Sequence, residues 1–322
     1  MYLQFEIYRS FSLMDRILLM IFVDTACCPK KPKYTPSTSF STHPSYPFPI
    51  PHLPSSITDH LGFAPASEGQ FINDQTDLDL DLIYYQPYIP AAAQTALFSF
   101  LRQELPFYRV HYAIDRGRIS TQITTPRYTT VFGTSLPVGN TRYKCTPRPL
   151  PFCLDELRKI IEATTGQTFN FCLGNYYADG QDSISYHSDD ERFLGPDPAI
   201  ASLSFGAKRD FLIKHKPIPP PDSRWRSGPE PKQIKLALYS GDMLLIKGRT
   251  QANWLHSVPK RAGVDGQMGR INVTFRKAVV KAGTENYYTY NVGKGDVFRW
   301  NEDGGRMVPW GKREVWARGE GV

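Results

Sequence analysis

Long apolar runs are missing from this chain. The longest, Ile17–Val23 behind Arg9 and Arg16, falls far short of the roughly 20 residues a helix needs to cross a bilayer. It only reaches the lower limit for a signal-peptide core, and Cys27-Cys28-Pro29 is a poor cleavage site. Neither membrane association nor secretion is therefore expected. Cysteine is scarce as well. Cys27, Cys28, Cys145, Cys153 and Cys172 form no zinc-binding repeat and no even set for a disulfide framework, which points to a reducing intracellular compartment. No internal repeat is present.

The 322 residues, 41% hydrophobic and 21% charged, suit a soluble globular protein with one sizeable domain plus tails. The formal charge of +7 is unevenly spread. Residues 1–101 hold five basic and nine acidic groups, a net −4, whereas residues 102–148 hold eight and two, a net +6. A polyanionic partner is favoured at that second stretch.

Residues 29–58 contain eight prolines and ten Ser/Thr residues with little apolar periodicity. Such a segment has too little apolar surface to offset its ordering entropy, so residues 1–80 are expected to form a disordered extension. Order is expected from near Leu80, with a strand at Leu82–Tyr85. Pro90 can start a helix over Ala91–Glu104, with Leu97, Phe98 and Leu101 on one face. A second helix is expected over Leu154–Thr164, stopped by Gly166. From Thr168 the pattern changes to short strands: Phe169–Tyr177, Ile184–His187, Ile200–Phe205, Asp210–Lys214, Ile234–Tyr239, Met243–Lys247 and Arg270–Arg276. Asp179-Gly180 and Ser240-Gly241 mark tight turns between them. That succession argues for a sandwich or jelly roll. Pro217–Pro231 is then a long surface loop anchored by Trp225.

Tyr186-His187-Ser188-Asp189-Asp190-Glu191 concentrates the chemistry. Alternate strand residues point the same way, so His187 and Asp189 can converge on a metal while Ser188 turns aside. His256, in Trp254-Leu255-His256-Ser257, offers the third ligand. Two imidazoles and one carboxylate on one face of an octahedron suit ferrous iron and leave three positions open. Zinc accepts the same set. On Arg270–Arg276, one face is Arg270, Asn272, Thr274 and Arg276, and the other is Ile271, Val273 and Phe275. Strict alternation pins that register. Two arginines on one face suit a small dicarboxylate better than a zinc-bound water, because a guanidinium grips a carboxylate in a two-toothed fork. Phe169, Phe171 and Leu173 line a face that turns polar at Asn175 and Tyr177. Both can hydrogen-bond a co-substrate carboxylate; the bland alternative is that Asn175 caps a turn and Tyr177 packs.

Taken together, Asn175-x-Tyr177, the Tyr186–Glu191 hexapeptide, Ala201–Gly206, His256-Ser257-Val258-Pro259 and Arg270-x-Asn272-x-Thr274-Phe275-Arg276 resemble the AlkB-like family of iron(II)- and 2-oxoglutarate-dependent dioxygenases. Within it the closest likeness is to the nucleic-acid dealkylase branch. The resemblance runs from about Tyr84 to Lys277. It implies an α+β fold: a double-stranded β-helix (jelly-roll) core, flanking N-terminal helices and a nucleotide-recognition lid at about 108–148. The dioxygenase domain would occupy 81–280, leaving 281–322 as a C-terminal extension.

Iron ligation is carried onto His187, Asp189 and His256, and 2-oxoglutarate onto Asn175, Tyr177, Arg270, Thr274 and Arg276. Arg270 would pair with the distal carboxylate, and O2 would be the second substrate. The implied reaction is oxidative demethylation of N-alkylated bases such as 1-methyladenine and 3-methylcytosine. DNA in single- or double-stranded form is the expected partner, with RNA as an alternative, and formaldehyde and succinate are released. A base methylated at a ring nitrogen is cationic, so Asp190 and Glu191 beside the metal would favour the lesion.

Pro126-Arg127-Tyr128-Thr129-Thr130-Val131-Phe132-Gly133 resembles the family's substrate lid, with Phe132 stacking on a flipped base. Arg116, Arg118, Arg127 and Arg142 are candidate phosphate contacts. Just before the lid the pattern departs. Val110-His111-Tyr112-Ala113-Ile114 is longer than the apolar finger of duplex-specific members and differently spaced. Tyr112 or Ile114 would be the wedge, and strand preference stays open. The competing readings are hydroxylation of a protein side chain by the same iron core and a catalytically silent nucleic-acid-binding relative. A monomer in the nucleus is expected, with the cytoplasm as a second location.

Overall fold

The computed structural model describes residues 39–72, 79–109, 111–117, 119–133, 148–217, 232–263, 268–279 and 295–311. The chain opens with β1 (Phe40–Ser41), β2 (Ile50–Pro51), α1 (Ser55–Leu61), β3 (Gln70–Ile72), β4 (Asp81–Tyr85) and α2 (Ala91–Glu104). Next come β5 (Phe107–Tyr108), β6 (His111–Arg116), β7 (Ile119–Thr124), β8 (Tyr128–Gly133) and α3 (Phe152–Thr165). The strand-rich half holds β9 (Phe171–Tyr177), β10 (Ile184–His187), β11 (Ile200–Gly206), β12 (Arg209–His215), β13 (Ile234–Leu238) and β14 (Met243–Lys247). A one-turn α4 (Thr250–Asn253), β15 (Trp254–Val258), β16 (Arg270–Arg276), β17 (Val297–Asn301) and β18 (Arg306–Pro309) complete it.

Two antiparallel sheets face each other in a jelly roll. The larger has ten strands in the order β18-β17-β5-β8-β9-β16-β11-β14-β4-β3, and the smaller has four, β10-β15-β12-β13. Period-two alternation sorts the side chains of the large sheet into two layers. Ile271, Val273 and Phe275 of β16 join Ala201, Leu203 and Phe205 of β11 in the core beneath the helices. Between the sheets, Leu82, Tyr84, Ile200, Leu244 and Ile246 meet Phe211, Ile213 and Trp254 of the small sheet. Each such fully buried aliphatic or aromatic side chain contributes about 1.5–3 kcal/mol.

The helices roof the large sheet. In α2, Ala93, Leu97, Phe100 and Leu101 are buried, a spacing that puts them on one face of a 3.6-residue period. Phe98 is only half-buried and carries the Arg102 guanidinium 4.8 Å from its ring centroid. The helix ends at Leu105, ahead of Pro106, whose ring disfavours helical backbone in the residue before it. α3 buries Cys153, Leu154, Leu157 and Ile161 and stops at Gly166 in the left-handed region, φ 67°. Among the described residues no helix is long and apolar enough to cross a membrane.

Two boundary expectations need correction. Residues 39–72 are not disordered: Ile50, Leu53, Ile57 and Leu61 enter the core beneath α2. Four apolar side chains suffice there because the prolines already hold the intervening backbone extended and fix the start of α1 after Pro54. Nor is the C-terminal region a separate appendage throughout. β17 pairs with both β5 and β18, and so extends the large sheet. Trp300 supplies the anchor, its ring 3.7 Å from the Arg102 guanidinium carbon. The Trp225 loop lies outside the described residues.

Candidate active site

β10 and β15 are neighbours in the small sheet, and the register sets His187 directly opposite His256. Their ring centroids are 4.2 Å apart. A bulge between Ile184 and His187 turns the end of β10, and Asp189 follows beyond the strand. The Asp189 backbone N–H donates to Gln251 Oε1 at 2.9 Å, which fixes the carboxylate's approach. Its Oδ1 lies 3.8 Å from His187 Nε2 and its Oδ2 lies 3.9 Å from His256 Nε2. The three ligand atoms lie within 4.8 Å of one another. Those separations are too long for hydrogen bonds and suit three donors around one cation.

The surroundings prepare these groups as ligands. His187 Nδ1 sits 2.8 Å from the Ser185 carbonyl oxygen. A proton held there leaves the Nε2 lone pair for the metal. Phe211 stacks on His256 at 5.2 Å. Burial pushes the His256 imidazole down to about 4, so it is neutral at pH 7. For Asp189 burial alone would raise the carboxyl, but Arg276 and the two imidazoles outweigh it and hold it below the ordinary carboxylate range. Arg276 Nη2 pairs with Asp189 Oδ2 at 2.9 Å.

His187, Asp189 and His256 share one cavity, about 390 Å³ counting its open mouth, with Asn175, Tyr177, Thr274 and Arg276. The alternation on β9 and β16 accounts for that set. Asn175 pairs in register with Asn272, and Tyr177 with Arg270. Arg270 does not line the cavity. It lies behind Tyr177, buried, donating from Nη2 to Ser204 Oγ at 2.9 Å. Burial lowers it to about 10, so it stays cationic at neutral pH. Thr274 Oγ1 donates to the Leu173 carbonyl at 2.9 Å, so its hydroxyl can only accept from a ligand. Buried guanidinium nitrogens Nε and Nη1 of both Arg270 and Arg276 have no hydrogen-bond partner among the described residues. Unsatisfied buried donors of this kind fit an anionic ligand with more than one carboxylate.

The substrate-side residues fare differently. Arg127 reaches the site: its Nε donates to Asn175 Oδ1 at 3.0 Å. Asp190 stands at the surface with Lys216 Nζ 2.9 Å away. Glu191 is 3.7 Å from Arg276 Nη1. Phe132 is the correction. It is fully buried, pairs in register with Cys172, and packs edge-on against Tyr46 in the core beneath the helices. A side chain on that face of β8 cannot stack on a base in the cavity. Gly133 is buried too, its N–H donating to the Arg148 carbonyl. Arg118 and Arg142 lie outside the described residues, as do the side chains of Arg116, Tyr112 and Ile114. Among the described residues β6 and β7 pair only with each other, as a two-stranded ribbon.

Some site residues carried no assigned role in the sequence. Ser202 and Asn272 line the cavity, with Asn272 Nδ2 donating to Ser202 Oγ at 2.8 Å. Asn272 stood on the polar face of Arg270–Arg276 without a function, and period-two spacing from Ser204 would have found Ser202. Gln251 and Phe211 touch the ligands from separate elements and carry no local signal.

Residues 81–276 match the 2OG-Fe(II) oxygenase superfamily, and the chain belongs to it. The two groups that family uses, Fe(II) and 2-oxoglutarate, suit the neutral imidazole and carboxylate donors and the unsatisfied arginines described above. Among curated proteins, the chain is 36% identical over 213 residues to the DNA oxidative demethylase ALKBH2 of Arabidopsis thaliana, covering 61% of this chain and 66% of that protein. It is 43% identical over 136 residues to ALKBH2 of Homo sapiens, covering 42% and 49%. With the alpha-ketoglutarate-dependent dioxygenase alkB homolog 3 of Rattus norvegicus it shares 42% over 153 residues, covering 47% and 50%. The matched stretch thus spans half to two thirds of these relatives.

Proposed function

We propose that this protein oxidatively demethylates N-alkylated bases in nucleic acid, DNA foremost, as a repair enzyme. The observation that carries the reading is one cavity between the sheets where His187, Asp189 and His256 converge beside arginines with unsatisfied buried donors. The names of the relatives, DNA oxidative demethylases among them, support the substrate class.

His187 and His256 would hold iron through Nε2, and Asp189 through its carboxylate. Arg270, with Tyr177 and Asn175, would bind the distal carboxylate of 2-oxoglutarate; Thr274 and Arg276 would line the end nearer the metal. With iron and 2-oxoglutarate bound, O2 would be the oxidant: one of its oxygen atoms goes to succinate as 2-oxoglutarate loses carbon dioxide, the other goes to the N-methyl carbon, and the resulting hemiaminal releases formaldehyde and the restored base. Arg276 keeps Asp189 ionised and aimed at the two histidines. Apolar walls from Ile184, Ile200 and Val258 keep water from the reacting carbon. Asp190 and Glu191 would favour a cationic methylated base at the mouth, and Arg127 would tie the strand that leads into the lid to the co-substrate pocket through Asn175. Acting on chromosomal DNA, the protein would work in the nucleus.

The decisive assay incubates the chain with iron, 2-oxoglutarate and oligonucleotides bearing 1-methyladenine or 3-methylcytosine, single- and double-stranded, DNA and RNA. Formaldehyde release with restored bases is expected. No turnover on any of these, with hydroxylation of a peptide instead, would replace this reading with protein hydroxylation. Asp189→Ala should abolish turnover while leaving oligonucleotide binding within about twofold.

A further inference from the structure

Arg209 opens β12 in the small sheet and is buried. Its Nη1 donates to the Asp179 carbonyl at 3.2 Å, and its Nη2 donates to the carbonyls of Asp182 and Pro259 at 2.8 and 2.6 Å. One guanidinium thereby ties the turn after β9 to the segment after β15. The same group lies 5.5 Å from the Tyr177 ring centroid, and Arg270 lies 5.4 Å from that ring. Tyr177 is therefore in contact with two buried guanidinium groups while it lines the cavity.

No carboxylate lies within ion-pair distance of either arginine among the described residues, and Asp182 and Asp179 act on Arg209 only from further away. Two neighbouring buried cations repel each other and are costly without an anion. Backbone carbonyls could be joined by a neutral donor, so clasping the loops does not by itself require the charge.

We infer that Arg209 is a positioning residue for the co-substrate: it fixes the Tyr177 ring and adds a second positive charge behind it, so that a distal carboxylate bound at Arg270 meets two cations. This rests on the reading of the cavity as a 2-oxoglutarate site. It also assigns Arg209 a part in choosing dicarboxylates over monocarboxylic 2-oxo acids.

The test is direct binding, by calorimetry on the Mn(II)-loaded full chain, of 2-oxoglutarate and of 2-oxopentanoate, which has a methyl group in place of the distal carboxylate. Arg209→Gln should weaken 2-oxoglutarate about tenfold and leave 2-oxopentanoate within about twofold, while Arg209→Lys recovers most of the loss. Equal weakening of both acids would make Arg209 purely structural and overturn the inference, as would unchanged binding of both. Where Arg209→Gln does not fold, Arg209→Lys decides. A charge-retaining variant that loses the dicarboxylate preference while binding 2-oxopentanoate normally overturns it, and a retained preference supports it. Failure of the parent chain to bind 2-oxoglutarate at all is a separate result and removes the co-substrate reading itself.

Discussion

Phe132→Ala separates a core residue from a base-stacking one. Phe132 is 0% exposed, its ring 6.0 Å from that of Tyr46 and 5.6 Å from the Arg148 guanidinium carbon. Truncation removes the transfer free energy of a buried aromatic ring and leaves a void that the large sheet on one side and the helices on the other cannot close. The expected loss is about 3–5 kcal/mol. In a body of this size each kcal/mol moves the midpoint by about 2–4 °C, so the thermal midpoint should fall by roughly 6–20 °C. Urea titration should show a lower midpoint at an unchanged slope. Turnover per folded molecule, assayed well below the new midpoint, should stay close to the parent's. A variant of parental stability that has lost activity on methylated single-stranded DNA would refute the placement of this ring in the core.

Three further outcomes are expected. Arg270→Met removes a buried cation whose charge-assisted pair with a carboxylate is worth about 2–5 kcal/mol; the KM for 2-oxoglutarate should rise at least about 30-fold, with kcat less affected, and an unchanged KM would contradict the assignment. Asp242 accepts from the Tyr84 hydroxyl at 2.5 Å and the Tyr239 N–H at 2.8 Å, and burial raises its carboxyl above the usual 3.8. The folded state holds that proton more tightly than the unfolded one, so this group's contribution is full below pH 3.8 and is lost as pH rises through the raised value. Asp242→Asn should therefore flatten the pH dependence of stability between 3.8 and the raised value, and parallel denaturation curves for parent and variant would argue against it. Trp300→Ala should cost about 1–3 kcal/mol by loosening β17 from Arg102 and Tyr176; an unchanged urea midpoint would show that the C-terminal strands are not anchored there.

The parts of the site that could be read from the sequence were those written in a local period. His187 and Asp189 came from their spacing, and the two faces of Arg270–Arg276 from strict alternation. Ile271, Val273 and Phe275 fall under the helices, and Asn272, Thr274 and Arg276 fall in the cavity, with Arg270 set behind Tyr177. His256 was harder. Its strand β15 was not among the expected strands, because five residues after a one-turn helix leave no repeat long enough to see. Phe132 went wrong by a single step of register: Val131 pairs with Leu173 and Phe132 with Cys172, so the aromatic ring points away from the face that carries Asn175. The link from Arg127 to Asn175 spans 48 positions and the Lys216–Asp190 pair spans 26, contacts that only tertiary structure brings together.

The strand order has a consequence for how the chain is made. β5 is covered on one side by β8, its near neighbour in sequence, and on the other by β17, synthesised about 190 residues later. Until β17 leaves the ribosome, the backbone of β5 and the face of Trp300's partners Arg102 and Tyr176 stay open to other chains. A pairing so distant in sequence is slow to form, and an uncovered strand edge invites aggregation in the interval. Translation that stalls or terminates before residue 297 should therefore yield a product that encodes every catalytic ligand and all of the large sheet but β17 and β18, yet which depends on a chaperone to stay soluble.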